Sequence, residues 1–76
     1  MSVVDREIAQ LIRTFKVHCC AREQGSRWVG VVRRRSETNR WKIILITAPY
    51  DSYKTARRAA QQLVHDIRNN ADELVI

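Results

Sequence analysis

The hydrophobic pattern of this 76-residue chain changes period twice, and this change constrains the fold more than any other feature. Over residues 53–67 the apolar side chains recur at helical spacing; they are Tyr53, Ala56, Ala60, Leu63, Val64 and Ile67. This spacing places them in one stripe along a helix, which is stable when the stripe is buried against another layer. We therefore predict a helix over about 52–69, with Asp51 or Ser52 as its N-cap.

A second helical stripe lies near the N-terminus. Ile8, Leu11, Ile12 and Phe15 recur at i, i+3, i+4 and i+7, which predicts a helix over about 3–14. Ser2 and Asp5 approximate a capping pair for this helix.

Between the two helices, apolar and polar residues alternate, which predicts strands. We place them at about 15–22, 27–35 and 40–48, with turns at 23–26 and 36–39, and with Pro49 ending the last strand. Alternation puts Trp28, Gly30 and Val32 on one face of the second strand and Val29, Val31 and Arg33 on the other. In the third strand, Trp41, Ile43 and Leu45 are expected on one face and Lys42, Ile44 and Ile46 on the other.

The predicted order is α-β-β-β-α. Because the turns are short, we expect an α+β fold of two layers, in which both helices cover one face of a three-stranded antiparallel sheet. One small domain is expected over residues 1–76, with a short acidic and apolar tail over 70–76. A fold of this size buries only about 60% of its unfolded surface, so no internal catalytic cavity is expected.

Basic residues are concentrated in the middle of the chain. The net charge is +6, and residues 16–58 contain eleven Lys and Arg against three Asp and Glu. Eleven of the 14 bases are Arg, whose forked and always charged head group suits phosphate. A small protein also needs net charge for solubility, so charge alone leaves solubility and polyanion binding as equal alternatives.

Three of these bases, Lys54, Arg57 and Arg58, fall in the first two turns of the last predicted helix. Cations are unfavourable at this end of the helix macrodipole, and a bound anion would explain them. An ordinary solvated helix face is the alternative.

A second basic group brackets the turn at 36–39. In a hairpin, Arg33, Arg34, Arg35 and Arg40 would cluster at one end of the sheet, and we expect them to form one continuous basic face with the helix start. Protection of a sheet edge against aggregation is the alternative. Trp28 and Trp41 lie on adjacent strands, and we expect them to pack structurally in preference to stacking on bases.

The start of the last helix reads Ser52-Tyr53-Lys54-Thr55-Ala56-Arg57-Arg58-Ala59-Ala60. It resembles the Ser-Lys-Lys-x-Ala-Lys…Ala-Ala motif of the double-stranded RNA-binding domain, a family that also has the order helix, three strands, helix. The resemblance implies that Lys54 and Arg57 bind phosphates across a groove, with Arg58 assisting, and that duplex shape is recognised in place of sequence.

The chain departs from that family at Tyr53, which stands where the motif has its first Lys, and at residues 23–26, which replace a Gly-Pro-x-His loop. A looser resemblance is to the arm-binding domains of tyrosine integrases, which lay a three-stranded sheet on DNA. It rests on residues 27–33 and on the helix that follows Tyr50.

The sequence contains no clear motif for metal binding, redox chemistry or catalysis. Cys19 and Cys20 are adjacent, so they point to opposite faces of a strand and lack the spacing of metal or redox motifs. His65 and Asp66 are neighbours, but no nucleophile lies beside them in sequence. We therefore expect no enzyme activity, no metal, no cofactor and no small-molecule substrate.

The N-terminus lacks the apolar core of a signal peptide, and no apolar stretch is long enough to span a membrane. We therefore expect a cytoplasmic protein with reduced thiols.

Two functions follow as hypotheses. The first is a non-catalytic module that contacts the phosphate backbone of duplex RNA or DNA through the basic helix start and the basic hairpin. The alternative is a protein-interaction or homodimerisation domain without nucleic-acid binding, based on apolar residues of the uncovered sheet face; these are Ile44, Ile46, Val29 and Val31.

Overall fold

The computed structural model describes residues 6–69, which form two helices and three strands. The elements are α1 (Arg6–Thr14), β1 (His18–Gln24), β2 (Arg27–Arg35), β3 (Trp41–Tyr50) and α2 (Tyr53–Asn69). The strands form one antiparallel sheet in the order β1-β2-β3. The predicted α+β class and the α-β-β-β-α order are confirmed. The tail at 70–76 and the pair Ser2 and Asp5 lie outside the described residues.

The first hairpin is tighter than predicted. Glu23 and Gln24 belong to β1, and Gln24 pairs with Arg27 across a turn of two residues. Gly25 takes the first turn position with a φ of 65°, where hairpin turns of type II′ favour glycine. The second turn covers 36–39 as predicted, with the Asn39 amide donating to the Ser36 carbonyl at 2.9 Å.

Pro49 does not end the last strand, contrary to the sequence prediction. β3 runs on to Tyr50, and Pro49 pairs with Val29. Proline is tolerated here because β3 is an edge strand, so its outer side needs no backbone N–H donor.

Register shifts between β2 and β3 change which residues of β3 share a face. Leu45 pairs with Val32, whereas Ile43 pairs with Arg33 and Ile46 with Val31. The prediction that Leu45 shares a face with Trp41 and Ile43 is therefore wrong, and Ile44 packs against the core. A bulge inserts an unpaired residue and re-aims the side chains that follow it, which a strict alternation cannot anticipate.

The hydrophobic core lies between the helices and one face of the sheet, here called the covered face. Its fully buried members are Ala9, Ile12, Val32, Ala60 and Ile67, with Val64 at 6% exposure. α2 packs against all three strands, and α1 packs against α2. The opposite face, here called the open face, has no helix on it within residues 6–69.

α2 approaches the sheet most closely at Gly30. A Cβ on Gly30 would meet the backbone carbonyl of Ala56 and would lie 3.0 Å from the Ala60 Cβ. Glycine on the strand and two alanines on the helix therefore set the distance between the two layers.

Arg68 joins the two helices, although its spacing places it on the outer stripe of α2. Its guanidinium donates to the carbonyls of Ile12 at 3.2 Å and Phe15 at 3.4 Å. These bonds satisfy carbonyls near the C-terminus of α1, which lack partners inside the helix. No helix within residues 6–69 has the length and apolarity to cross a membrane.

Candidate nucleic-acid interface

Ser52 caps α2 and thereby sets the position of the basic side chains that follow. Its Oγ accepts the Thr55 amide at 3.2 Å, and its carbonyl accepts the Ala56 amide at 3.1 Å. Of the two candidate caps, the structure selects Ser52. Asp51 is exposed and pairs with Arg27 at 3.4 Å.

The three basic residues predicted at the helix start lie together. Lys54, Arg57 and Arg58 are exposed and line one shallow groove with Tyr53 and Gln61. The first turn of α2 has no acidic residue. Within the part of the chain that the structure describes, none of the three bases forms an ion pair, so their charge is uncompensated at the positive end of the helix dipole.

The small residues of the same segment have a separate role. Ala56 and Ala60 are fully buried against the strand at Gly30. Helical periodicity then turns Lys54 and Arg58 away from the sheet and places Arg57 at the flank of the buried stripe. The alternation of alanines and bases in residues 52–60 thus separates packing from charge on one short helical segment.

The hairpin bases lie at the other end of the sheet. Tyr53 at the start of α2 contacts Trp28 edge-on, with ring centroids 5.5 Å apart. Trp28 is the second residue of β2 and Arg35 is the last. The seven residue-to-residue steps from Trp28 to Arg35 separate these two ends of the sheet by about 23 Å. The structure therefore does not join the two groups into the single continuous face that we expected.

The Arg33–Arg35 triplet is also divided between the two faces. Arg34 lies on the covered side, with its Cζ 4.4 Å from the centre of the Phe15 ring. Its buried Nε has no hydrogen-bond partner among the described residues. Arg33 and Arg35 lie on the open face, and the alternation along β2 already implied this division because neighbouring strand residues point to opposite sides. Arg40 is exposed in the turn region.

Trp41 forms the centre of a cluster on the open face. The Arg33 and Arg35 Cζ atoms lie 4.4 and 5.0 Å from its ring centre, and the His18 ring centre lies 5.4 Å away. Arg33 Nε donates to His18 Nδ1 at 3.3 Å. Arg35 Nη1 donates to Asn39 Oδ1 at 2.9 Å.

The two tryptophans do not pack on each other. Trp28 pairs with Tyr50 on the covered face, whereas Trp41 pairs with Arg35 on the open face and is 44% exposed. Structural packing, our expectation for both, therefore describes Trp28 better than Trp41. The cluster of His18, Arg33 and Trp41 was not anticipated from sequence, since it depends on the register of three strands.

The cysteines lie on opposite faces, as predicted. Cys19 packs against the core and Cys20 pairs with Val31 on the open face; both are free thiols. Burial raises the pKa of the Cys19 thiol, and Cys20 adds to the rise, while Arg68 and Arg57 oppose it.

His65 and Asp66 form a surface pair on α2. His65 Nδ1 lies 3.7 Å from Asp66 Oδ1, with side-chain exposures of 70% and 41%, and Gln62 Nε2 donates to the same oxygen at 2.9 Å. No group of three or more potential metal ligands occurs within residues 6–69. 

No family model matches this chain, and neither do the curated proteins or the solved structures that it was compared with.

Proposed function

We propose that this chain is a non-catalytic nucleic-acid-binding module that contacts the phosphate backbone of a duplex through the first turns of α2. The observation that carries the proposal is the exposed group of Lys54, Arg57 and Arg58, which line one groove without an ion pair among the described residues. Cations placed at a positive helix end are stabilised when an anion such as phosphate binds between them.

The resemblance of residues 52–60 to the double-stranded RNA-binding motif supports the same assignment. Ser52 caps the helix, Ala56 and Ala60 pack on the sheet, and the basic positions of the motif point outward. Contacts of this kind recognise the backbone and groove geometry, so we expect little dependence on base sequence. We expect the cytoplasm as the compartment, where the thiols of Cys19 and Cys20 would stay reduced.

Of the hairpin bases, Arg40 alone is proposed as a separate contact for this function, because Arg33 and Arg35 lie on the open face, away from α2, and Arg34 stacks on Phe15. Arg40 is exposed, but it lies with Arg33 and Arg35 at the far end of the sheet, about 23 Å away by strand length. At about 3.4 Å per base pair, this distance corresponds to roughly seven base pairs. A duplex shorter than that is expected to bind through α2 alone.

The test is a titration with duplex RNA and with duplex DNA at two salt concentrations. Three phosphate contacts predict that log K falls with log salt at a slope of about 2.7. The double variant Lys54→Glu with Arg57→Glu is expected to lose most of the duplex affinity while it keeps its thermal unfolding transition.

A matched control reverses the same amount of charge at a distance from the groove. Arg13 and Lys16 are exposed at the end of α1 and just after it, so Arg13→Glu with Lys16→Glu is expected to retain most of the affinity. An equal loss in both double variants, or no binding of either duplex at low salt, would refute the α2 site.

The alternative function is homodimerisation or binding of another protein through the open face. It is favoured by the exposure of Ile43 and Ile46, at 44% and 49%, because apolar side chains on an uncovered face are stabilised by a partner. A concentration series in sedimentation tests homodimerisation, and a monomer at every concentration counts against it.

A further inference from the structure

The open face combines positive charge with exposed apolar surface. The strand register places four arginines on it, namely Arg22, Arg27, Arg33 and Arg35. Glu23, the one carboxylate residue within the three strands, pairs with Trp28 and so belongs to the covered face. Asp51 pairs with Arg27 at the end near α2, which leaves Arg22, Arg33 and Arg35 without an ion pair among the described residues. Of these three, Arg33 and Arg35 lie beside Trp41.

The cluster around Trp41 is held in place before any ligand binds. His18 and Asn39 accept hydrogen bonds from Arg33 and Arg35, and both guanidinium groups lie against the indole. These contacts reduce the rotamer freedom that the arginines would lose on binding. Trp41 nevertheless keeps 44% of its surface exposed, so part of the indole remains open to a ligand.

The chemistry of this face favours a ligand that combines negative charge with accessible aromatic rings. Arginines without carboxylates favour phosphate, and the exposed Trp41, Ile43 and Ile46 favour apolar contact. A duplex hides the faces of its bases, whereas a single strand exposes them for stacking on aromatic side chains. A second copy of the chain fits poorly, because two open faces in contact would oppose arginines to arginines.

We propose that the open face is a second binding site, which takes single-stranded RNA or DNA. A base stacks on the exposed part of Trp41, and Arg33 and Arg35 bind the adjoining phosphates. Ile43 and Ile46 extend the apolar surface along β3. This site shares no residue with the groove at the start of α2, so the two can fail independently.

The experiment measures binding of a fluorescently labelled oligonucleotide of about ten nucleotides, a length within the ~4–16 nucleotide range of comparable single-strand sites. Trp41→Ala is expected to weaken binding about tenfold or more, because stacking accounts for much of the affinity at such sites. Trp41→Phe keeps an aromatic ring and is expected to lose less. Two phosphate contacts predict a salt slope of about 1.4.

A second measurement does not depend on the stability of the alanine variant. In Trp28→Phe, Trp41 is the sole tryptophan, and its fluorescence is expected to be quenched by a stacked base. Trp28 lies on the covered face, so this substitution is expected to leave single-strand binding unchanged.

The variants of the two sites separate the two proposals. Lys54→Glu with Arg57→Glu is expected to keep single-strand binding, and Trp41→Ala is expected to keep duplex binding. The open-face site is refuted if Trp41 fluorescence does not respond to the oligonucleotide, or if Trp41→Phe and a folded Trp41→Ala both bind it as the wild type does. Self-association that Ile46→Lys abolishes, without single-strand binding by the wild type, would assign the face to protein contact instead.

Discussion

The two faces of β2 differ although they belong to one strand. On the covered face, Gly30 and Val32 lie under α2 and are buried. On the open face, Val29 and Val31 are only 3% and 2% exposed without a helix above them. Their shielding comes from cross-strand neighbours, including Cys20 beside Val31 and Pro49 beside Val29. The central strand of a sheet can therefore be buried on both faces although helices pack against only one of them.

The same difference separates the charged residues of the two faces. Under the helices, Arg34 stacks on Phe15 and its Nε is buried. On the open face, Arg33 and Arg35 stack on an indole that remains partly exposed. Neighbouring arginines of one triplet thus have different roles, since one supports the fold and two remain accessible to a ligand.

The largest expected effect is on the covered face at Gly30. Gly30→Ala is expected to lower the free energy of unfolding by about 3 kcal/mol, because the new Cβ meets the backbone of α2 and overpacks the interface. Urea denaturation measures it. The matched control is Gly25→Ala, where no atom lies within 4 Å and only the positive φ is strained, at a cost of about 1–2 kcal/mol. An equal or smaller cost at Gly30 would contradict close packing of α2.

An intermediate effect is expected from neighbouring valines of β2. Val32→Ala is expected to cost about 2 kcal/mol, because it removes two buried methyl groups from the core. Val31→Ala is expected to cost about half as much, since its neighbour Ile46 is 49% exposed and can move toward the vacated space. Thermal or urea unfolding of both variants makes the comparison. Equal losses would show that the open face is packed as firmly as the covered one.

The smallest effect concerns the adjacent cysteines. We expect a thiol reagent to modify Cys20 faster than Cys19 at neutral pH, as measured by mass spectrometry with Cys19→Ser and Cys20→Ser as the single-thiol variants. Cys19 packs against the core, and the raised pKa of its thiol lowers the thiolate fraction. Faster modification of Cys19 would contradict its placement on the covered face.

The raised pKa also predicts a dependence of stability on pH. Folding favours the protonated thiol of Cys19, so this contribution is present below the unfolded pKa and is lost as the pH rises through the higher folded pKa. Between neutral pH and about pH 10, the wild type is expected to lose slightly more stability than Cys19→Ala does. Parallel urea titrations at the two pH values measure this difference.

Local sequence determined the elements and most of their faces. The stripe of α2 and the alternation along β1 and β2 depend on residues close together in the chain, so their spacing was enough to predict them. Spacing left Asp51 and Ser52 as alternative caps, and the structure selected Ser52. The grouping of Lys54, Arg57 and Arg58 follows from the same local helical geometry. The division of the Arg33–Arg35 triplet was equally implicit in the strand pattern.

Tertiary structure alone decided the features that depend on pairing between distant residues. The bulges of β3 turn Leu45 toward the core and Ile46 to the open face, and a bulge is a property of two strands together. The edge position of β3 admits Pro49, and the docking of α1 draws in Arg68. Register and topology likewise set the distance between the two basic groups, and they bring His18, Arg33 and Trp41 together. The spacing of residues within one element carries no information about either feature.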